Sequence, residues 1–167
     1  MRHRTLACLA LASVPACANP ASRATPALTS DEREVLGVVD RLFATMRSKD
    51  TAVMRTLFEP GARLVGIRPR PSGEAVVQAL TWERFAAFVA SDRREWIERA
   101  WNPQVRVRGA LATVWAEYDF HFGAQPSHCG VDAVHLLKTP AGWRIVGMAD
   151  TYETTGCPAR PAPAAAR

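Results

Sequence analysis

The segment 112–122 constrains the fold more than any other stretch, because it alternates between two kinds of residue. Its even-numbered positions, from Ala112 to Phe122, are all apolar or aromatic, whereas its odd-numbered positions, from Thr113 to His121, are polar except for Trp115. A period of two is typical of a β-strand with one buried face. Turn residues at 123–127 and 139–142 separate this strand from extended segments at 131–138 and 143–151. The sequence therefore predicts an antiparallel meander.

Three helices are predicted before this meander, each with its own start signal. Thr29 and Glu32 fit a capping box ahead of an apolar stripe at helical spacing, which predicts a helix from 30 to about 47. Asp50 is placed to cap a second helix, which Pro60-Gly61 ends. Thr81 caps a third helix whose inward residues are expected to be Trp82, Phe85, Phe88 and Val89.

Shorter extended segments lie between and after these helices, at 62–68, 74–80, 95–101 and 105–108. Helices first and strands afterwards predict an α+β domain with the helices packed on one face of the sheet.

The first residues have the pattern of an export signal. Arg2 and Arg4 precede an apolar stretch, 5–14, that is too short to span a membrane. Small residues then fit cleavage after Ala18, whereas Val14-Pro15-Ala16-Cys17 resembles a bacterial lipobox that would lipidate Cys17. We expect a signal peptide at 1–18, or one ending before Cys17, and a Pro/Ala/Ser-rich tether at 19–29. The protein is then periplasmic or anchored to the outer membrane, with membrane contact only through that lipid.

Two cysteines, Cys129 and Cys157, remain after the export signal is set aside. An oxidising compartment favours a disulfide between them, and the alternative is two free, buried thiols. We expect no metal site, because the sequence has neither a CxxC pair nor a His-Glu zinc pattern.

The formal net charge of +5 does not predict a nucleic-acid partner. Five arginines lie in the two ends of the chain: Arg2, Arg4, Arg23, Arg160 and Arg167. Between 30 and 157 the basic residues equal the acidic residues in number. A nucleic-acid-binding protein needs its positive charge on the folded surface, where it displaces counterions from phosphates.

Three sequence segments carry a family resemblance. Lys49–Ala62 (KDTAVMRTLFEPGA) and Gly142–Val146 (GWRIV) resemble the nuclear transport factor 2-like superfamily, with its SnoaL-like and ketosteroid isomerase-like members. His128–Asp132, followed by Asp150-Thr151 and Gly156-Cys157, resembles exported bacterial members of unknown function. The resemblance covers 30–157 and leaves 158–167 as a Pro/Ala tail that is predicted to be unstructured.

The resemblance implies a cone-shaped α+β domain. Three helices would close over a strongly curved, mixed but mostly antiparallel sheet, with an apolar pocket between them and homodimers formed through the outer sheet face. It also implies that any catalysis would need no metal or organic cofactor, because the superfamily's enzymes use a carboxylate or His as base and a hydrogen-bond donor for the developing oxyanion.

Candidate catalytic residues follow from the polar side of the alternating strand. Asp119 shares that side with Glu117 and His121, and either Asp132 or His135 would lie opposite it, depending on strand register. The alternative, which we favour, is that this side is solvated or is a dimer seam, since antiparallel sheets commonly have one wet face. His135 would then be a core or interface residue.

Asp150, on the last strand among apolar residues, is the best placed single acid, and its alternative role is a structural hydrogen bond. Candidate pocket-lining residues are Trp82, Phe85, Trp101, Trp115, Tyr118 and Met148. Trp82 and Trp101 are first core or pocket-wall residues, whereas Trp115, an aromatic residue on the polar side of its strand, suits an interface or a pocket rim.

Three functions remain open at this point. The sequence favours a small-ligand carrier for an apolar or aromatic molecule, then a partner-binding module that docks through the outer sheet face, then a cofactor-independent lyase or isomerase with an Asp base. A cavity holding an acid close to a His or Tyr would support the enzyme, and one without titratable groups would support the carrier.

Overall fold

The computed structural model describes residues 27–70 and 72–162. The predicted signal peptide at 1–18, with its candidate lipidation site Cys17, lies outside the described residues, as do most of the tether and the last five residues of the tail. Residues 158–162 are described and belong to no helix or strand. In the described ranges, every helix is too short or too polar to cross a membrane.

The described residues form three helices and six strands, and this α+β architecture confirms the predicted fold class. The helices are α1 (Ser30–Ser48), α2 (Thr51–Leu57) and α3 (Trp82–Ser91). The strands are β1 (Phe58–Pro69), β2 (Ala75–Thr81), β3 (Trp96–Arg108), β4 (Leu111–Phe122), β5 (Gln125–Thr139) and β6 (Gly142–Thr151).

All six strands belong to one curved sheet in the order β2-β1-β6-β5-β4-β3. The pair β1–β6 is parallel and every other pair is antiparallel. The last strand therefore lies in the middle of the sheet, between the first strand and the end of the meander.

The helix starts are those that the sequence predicts. Thr29 and Glu32 form a reciprocal capping box, with the Thr29 amide donating to Glu32 Oε2 at 2.7 Å. Asp50 accepts the Val53 amide at 2.9 Å to begin α2, and Thr81 accepts the Arg84 amide at 3.3 Å to begin α3. These side chains satisfy amides that have no partner inside the helix.

The core lies between the helices and the even-numbered face of β4. Val35 and Leu42 of α1 are fully buried, as are Val134 and Leu136 of β5, and they form one apolar cluster with β4 residues such as Val114. The burial of β4 alternates as the sequence predicts.

The structure corrects four details of the sequence prediction. β1 passes through Pro60-Gly61, with an irregularity in its pairing there, and β3 is one continuous strand broken only by a bulge between Trp101 and Gln104. β5 begins at Gln125, so the preceding turn is shorter than predicted. Phe88 borders a cavity instead of the packed core and stays 42% exposed.

The register between β4 and β5 also differs from both predicted alternatives. Asp119 lies opposite Cys129, while Asp132 lies opposite Ala116 and His135 opposite Thr113. A bulge after Phe120 shifts the pairing near the turn. Because the short turn already pairs Phe122 with Gln125, Asp119 has neither of the expected partners.

Candidate functional site

A cavity of about 320 Å³ lies between the helices and the inner face of the sheet. Its walls are mainly apolar and aromatic, with Leu42 and Met46 of α1 and Phe85 of α3 facing Phe120 and Trp96 of the sheet. Exposed residues at its open end include Arg68, Gln78 and Phe88. Three carboxyl groups line the same space: Glu98, Asp132 and Asp150.

Strand pairing brings these carboxyls together from distant parts of the sequence. Asp132 on β5 lies directly opposite Asp150 on β6. Glu98 on β3 is paired with Phe120, and its side chain reaches across β4 to Asp132. Directly opposed residues in a sheet have Cβ atoms about 5 Å apart, so one small molecule can contact both aspartates.

Glu98 and Asp132 form a buried carboxyl pair. Neither oxygen of Asp132, nor Oε1 of Glu98, has a donor among the described residues, so a proton held between the two carboxyls is the hydrogen bond left to them. Burial, together with the charge of Asp132, raises the pKa of Glu98 well above its ordinary value. Burial also raises the pKa of Asp132 to about 7, although the hydrogen bond from Glu98 opposes that rise. Glu98 therefore keeps its proton at neutral pH, whereas Asp132 gains or loses one close to pH 7.

Glu98 as a whole residue is only half-buried. Its carboxyl group is nevertheless enclosed by protein, and Oε1 has almost no accessible surface. Protein atoms therefore enclose the carboxyl pair except where it borders the cavity.

Asp150 is the more accessible acid of the cavity. Burial raises its pKa to about 6, and the positive charge of Arg68 limits that rise. Gly66 of β1 lies opposite Asp150, and a Cβ there would be 3.8 Å from both carboxylate oxygens. Asp150 is therefore ionised at neutral pH while the neighbouring pair keeps its proton.

Tyr118 closes the inner end of the site. Its hydroxyl donates to the Thr151 carbonyl at 2.8 Å and lies close enough to Asp150 to lower the pKa of that acid. Burial, followed by the nearby carboxyls, raises the pKa of Tyr118 itself, so the phenol stays protonated. The close approach of β5 and β6 here requires Gly130, because a Cβ would overlap the Thr151 carbonyl oxygen and lie 2.6 Å from its hydroxyl.

Four stacked groups line the open end of the cavity. Phe120 and His128 have ring centroids 4.8 Å apart, His128 and Tyr152 3.8 Å apart, and the Arg68 guanidinium lies 3.7 Å from the centroid of Tyr152. Burial, with the charge of Arg68, lowers the pKa of His128 to about 4, so the imidazole is neutral.

A disulfide between Cys129 and Cys157 joins the C-terminal segment to β5 beside this stack, and it is the pairing predicted from the sequence. The Cys129 and Glu153 backbones exchange two hydrogen bonds of 2.9 Å, which hold Tyr152 in place over His128.

Some of the predicted site residues line the cavity and the others do not. Asp150, Tyr118, Phe85 and Met148 line the cavity. The other candidates lie elsewhere: Asp119, His135, Trp82, Trp101 and Trp115.

Asp119 lies on the outer face, where Arg99 Nε donates to its Oδ1 at 2.7 Å and Arg99 also contacts His121. His135 is exposed on that face. Trp101 is buried there with its indole N–H on Glu117, and Trp115 is 53% exposed. Trp82 is buried against Phe58, with ring centroids 5.9 Å apart.

Glu98, His128, Arg68 and Tyr152 are cavity residues that the sequence interpretation did not single out. The one available signal for Glu98 is its even-numbered position between Trp96 and Ala100, whose partly buried side chains pack against the core. Among the described residues, no group of three or more Asp, Glu, His or Cys side chains is arranged to hold a metal ion.

Comparison with known proteins identifies the family. A model of the SnoaL-like domain matches residues 35–149, more than half of the chain. No curated protein matches the sequence significantly.

Solved structures share the fold at low sequence identity. A candidate dehydratase of the NTF2-like family from Streptomyces avermitilis is 16% identical with a TM-score of 0.59, covering 74% of this chain and 96% of that one. A protein of unknown function with a cystatin-like fold from Nostoc punctiforme is 12% identical with a TM-score of 0.61, covering 77% and 96%. An NTF2-like superfamily protein from Salmonella enterica is 18% identical with a TM-score of 0.58, covering 83% and 98%. The chain therefore belongs to the SnoaL-like family of the nuclear transport factor 2-like superfamily.

Proposed function

We propose that the protein is a cofactor-independent lyase or isomerase that acts on a small molecule inside the cavity. Asp150 is the general base, and the Glu98–Asp132 pair is the proton donor. The observation that carries this proposal is that Asp150 and the Glu98–Asp132 pair lie side by side in one mainly apolar cavity, where burial raises their pKa values to different extents. Acid and base roles follow when neighbouring environments hold two titratable groups in different states at the same pH.

The chemistry is a transfer of protons across the bound molecule. Asp150 takes a proton from a carbon of the substrate, and the pair gives its proton to a leaving hydroxyl group or to another carbon. When a hydroxyl group accepts the proton and leaves as water, the reaction is a dehydration. When another carbon of the substrate accepts the proton, the reaction is an isomerisation. In both cases the substrate loses one proton to Asp150 and receives one from the pair. Dehydration is also the reaction named for the candidate dehydratase from Streptomyces avermitilis, whose fold this chain shares.

A neutral, planar probe tests the base directly. 5-Nitro-1,2-benzisoxazole opens when a base removes its C3 proton and the N–O bond breaks, which releases a coloured cyanonitrophenolate. We expect the protein to accelerate this opening over an equal concentration of acetate, with a rate that rises with pH as Asp150 ionises near its pKa of about 6.

Asp150→Asn should lower kcat/KM by about 10²-fold or more, the usual size of a general-base contribution. Asp119→Asn is the matched control, because that carboxylate lies on the outer face with Arg99. A rate equal to that of acetate, or equal losses in the two variants, would refute the proposal.

A second candidate function is that of a ligand carrier, which the sequence favoured. The aromatic and aliphatic walls of the cavity support it, since such walls bury most of a small ligand. Mass spectrometry of molecules that copurify with the protein would support it if an unmodified ligand is recovered while the proton-transfer test fails.

We also propose that the protein is exported and forms homodimers. The disulfide between Cys129 and Cys157 supports an oxidising compartment. Apolar side chains on the outer sheet face, including Trp115, support pairing of two copies. Intact-mass analysis of the protein from its host would distinguish cleavage after Ala18 from a lipid on Cys17, and an uncleaved chain would contradict export by this signal.

A further inference from the structure

One acceptor in the cavity lacks a donor from the part of the chain that the structure describes. Asp132 is 1% exposed, and neither of its oxygens meets a donor among the described residues. The proton shared with Glu98 satisfies one of these oxygens. The other oxygen remains an unsatisfied buried acceptor, which is costly in a folded protein and points to a donor supplied from outside the chain.

The charges around this oxygen are unbalanced. Glu98, Asp132 and Asp150 all line the cavity, and above a pH of about 7 both aspartates are ionised. Arg68 is exposed at the open end, where its guanidinium stacks on the Tyr152 ring and its charge limits the rise in the pKa of Asp150. The helices contribute only apolar groups to the described cavity, such as Leu42, Met46 and Phe85. The titratable groups that face the site are Arg68, Glu98, Tyr118, His128, Asp132, Asp150 and Tyr152.

The aromatic side chains that line the cavity can contact both an organic cation and an apolar group of a ligand. Trp96, Phe120 and Phe122 contact one another edge to face and line the cavity beside Glu98. His128 is stacked on one face of Phe120, and the Arg94 guanidinium lies 3.5 Å from the centroid of Phe122, so that ring already binds a cation on one face. The faces of aromatic rings attract organic cations, most strongly where water is excluded. A neutral alcohol would provide the missing donor but leave the negative charge uncompensated, and an anion would add to it.

We infer that the ligand of this cavity is a small organic cation, an ammonium group on an apolar or aromatic body, whose N–H groups bind the free oxygen of Asp132. The inference rests on the proposed function in taking the cavity as the place where a small molecule binds, and it adds the class of that molecule. The ammonium lies at the inner end, on Asp132, and the body lies along the aromatic walls.

A charge series on the unmodified full chain tests the inference. Benzylammonium, benzyl alcohol and benzoate share one ring and differ in charge, and binding of each is measured by calorimetry at pH 7.5 and low salt. We expect benzylammonium to bind at least about tenfold more tightly than benzyl alcohol, and benzoate to bind more weakly still. Equal binding of the first two, or tighter binding of benzoate, would overturn the inference.

The pH dependence of benzylammonium binding and one variant test whether the cation binds at Asp132. Benzylammonium stays charged from pH 5 to 8, so its affinity should fall toward pH 5 as Asp150 and the pair take up protons. Asp132→Asn should remove most of the tenfold preference, whereas Asp119→Asn on the outer face should leave it unchanged. If Asp132→Asn does not fold, the pH series on the unmodified protein still decides, because an affinity that is flat or rises toward pH 5 contradicts the inference.

The two experiments distinguish a failure of the proposed catalysis from a failure of the proposed cation site. 5-Nitro-1,2-benzisoxazole carries no positive charge, so its opening reports the base and not the cation site. A protein that opens it but does not prefer benzylammonium contradicts the cation site alone. A protein that prefers benzylammonium but does not open the benzisoxazole contradicts the proposed catalysis alone.

Discussion

Asp119 and Asp132 have the same side chain, but their surroundings shift its pKa in opposite directions. Burial alone would raise the pKa of Asp119, but the hydrogen bond and the charge from Arg99 outweigh it, and the pKa is lowered. No cation of residues 27–70 or 72–162 acts on Asp132, and burial raises its pKa. The first aspartate is a stable surface anion, whereas the second gains or loses a proton near neutral pH, which is the property that proton transfer needs.

Replacing Asp132 by Asn should change how stability depends on pH. A carboxyl whose folded pKa is raised stabilises the fold fully below its unfolded value, near 4, and loses that contribution as pH rises through about 7. Asp132→Asn should therefore raise the free energy of unfolding, relative to the unmodified protein, by roughly 2 to 4 kcal/mol more at pH 8 than at pH 4. Urea denaturation at both pH values measures this difference.

His128 acts in the opposite sense and must be separated from this effect. Its pKa is lowered to about 4, so its contribution is present above its ordinary value of 6.5 and is lost as pH falls toward 4. Because His128 is present in both proteins, it cancels in the comparison. An equal difference between variant and unmodified protein at pH 4 and pH 8 would contradict the raised pKa of Asp132.

The alternation of β4 was enough to place Asp119 and Tyr118 on opposite faces of the sheet, but the site also depends on register. A bulge after Phe120 decides which β5 residue lies opposite each β4 residue, and no local pattern marks it. Glu98 was missed because β3 alternates weakly, so the sequence did not indicate which of its side chains point inward. Burial and proximity create the special properties of the pair, and both arise only in the folded chain.

At the scale of elements, β5 and β6 approach each other most closely at Gly130, where the Thr151 side chain also accepts the Val131 amide at 3.0 Å. Gly130→Ala should destabilise the protein by about 1–3 kcal/mol, because the new methyl group displaces the Thr151 backbone and with it the acceptor of Tyr118. Thermal denaturation measures the loss. Gly147→Ala is the control, since its nearest neighbour would be 3.7 Å away; similar losses in both variants would argue against the close approach.

The segment after β6 depends on its covalent link to β5. Cys157→Ser should lower the free energy of unfolding by about 3 kcal/mol, the usual effect of opening a loop of this size. The exposed position of Cys157 makes the serine itself harmless. Reductant should lower the melting temperature of the unmodified protein to that of the variant and leave the variant unchanged. A melting temperature insensitive to both changes would contradict a stabilising bridge.

At the scale of the whole molecule, the two faces of the sheet have different surroundings. The inner face is covered by helices, whereas the outer face exposes Leu111 (54%), Trp115 (53%) and Leu137 (39%). Leu111 is paired with Leu137, and Trp115 lies four residues further along β4, beyond the Thr113–His135 pair. Large apolar side chains exposed on one face of a sheet are a feature of association sites.

Trp115→Lys should therefore shift the protein toward the monomer. A charge in the centre of an apolar interface cannot be desolvated cheaply, so light scattering coupled to size-exclusion chromatography should show about half the mass of the unmodified protein. Val53→Lys is the control, since Val53 is 41% exposed but lies on α2. A monomeric unmodified protein, or no change of mass in Trp115→Lys, would contradict pairing through this face.

The central position of β6 has a consequence for the nascent protein. A chain still emerging from the ribosome has no strand to fill the space between β1 and β5 until the residues up to Thr151 are available. Pairings between such distant parts of a sequence form slowly. We therefore expect a newly made chain to remain open until its last strand is synthesised, a state that suits threading through a translocation channel.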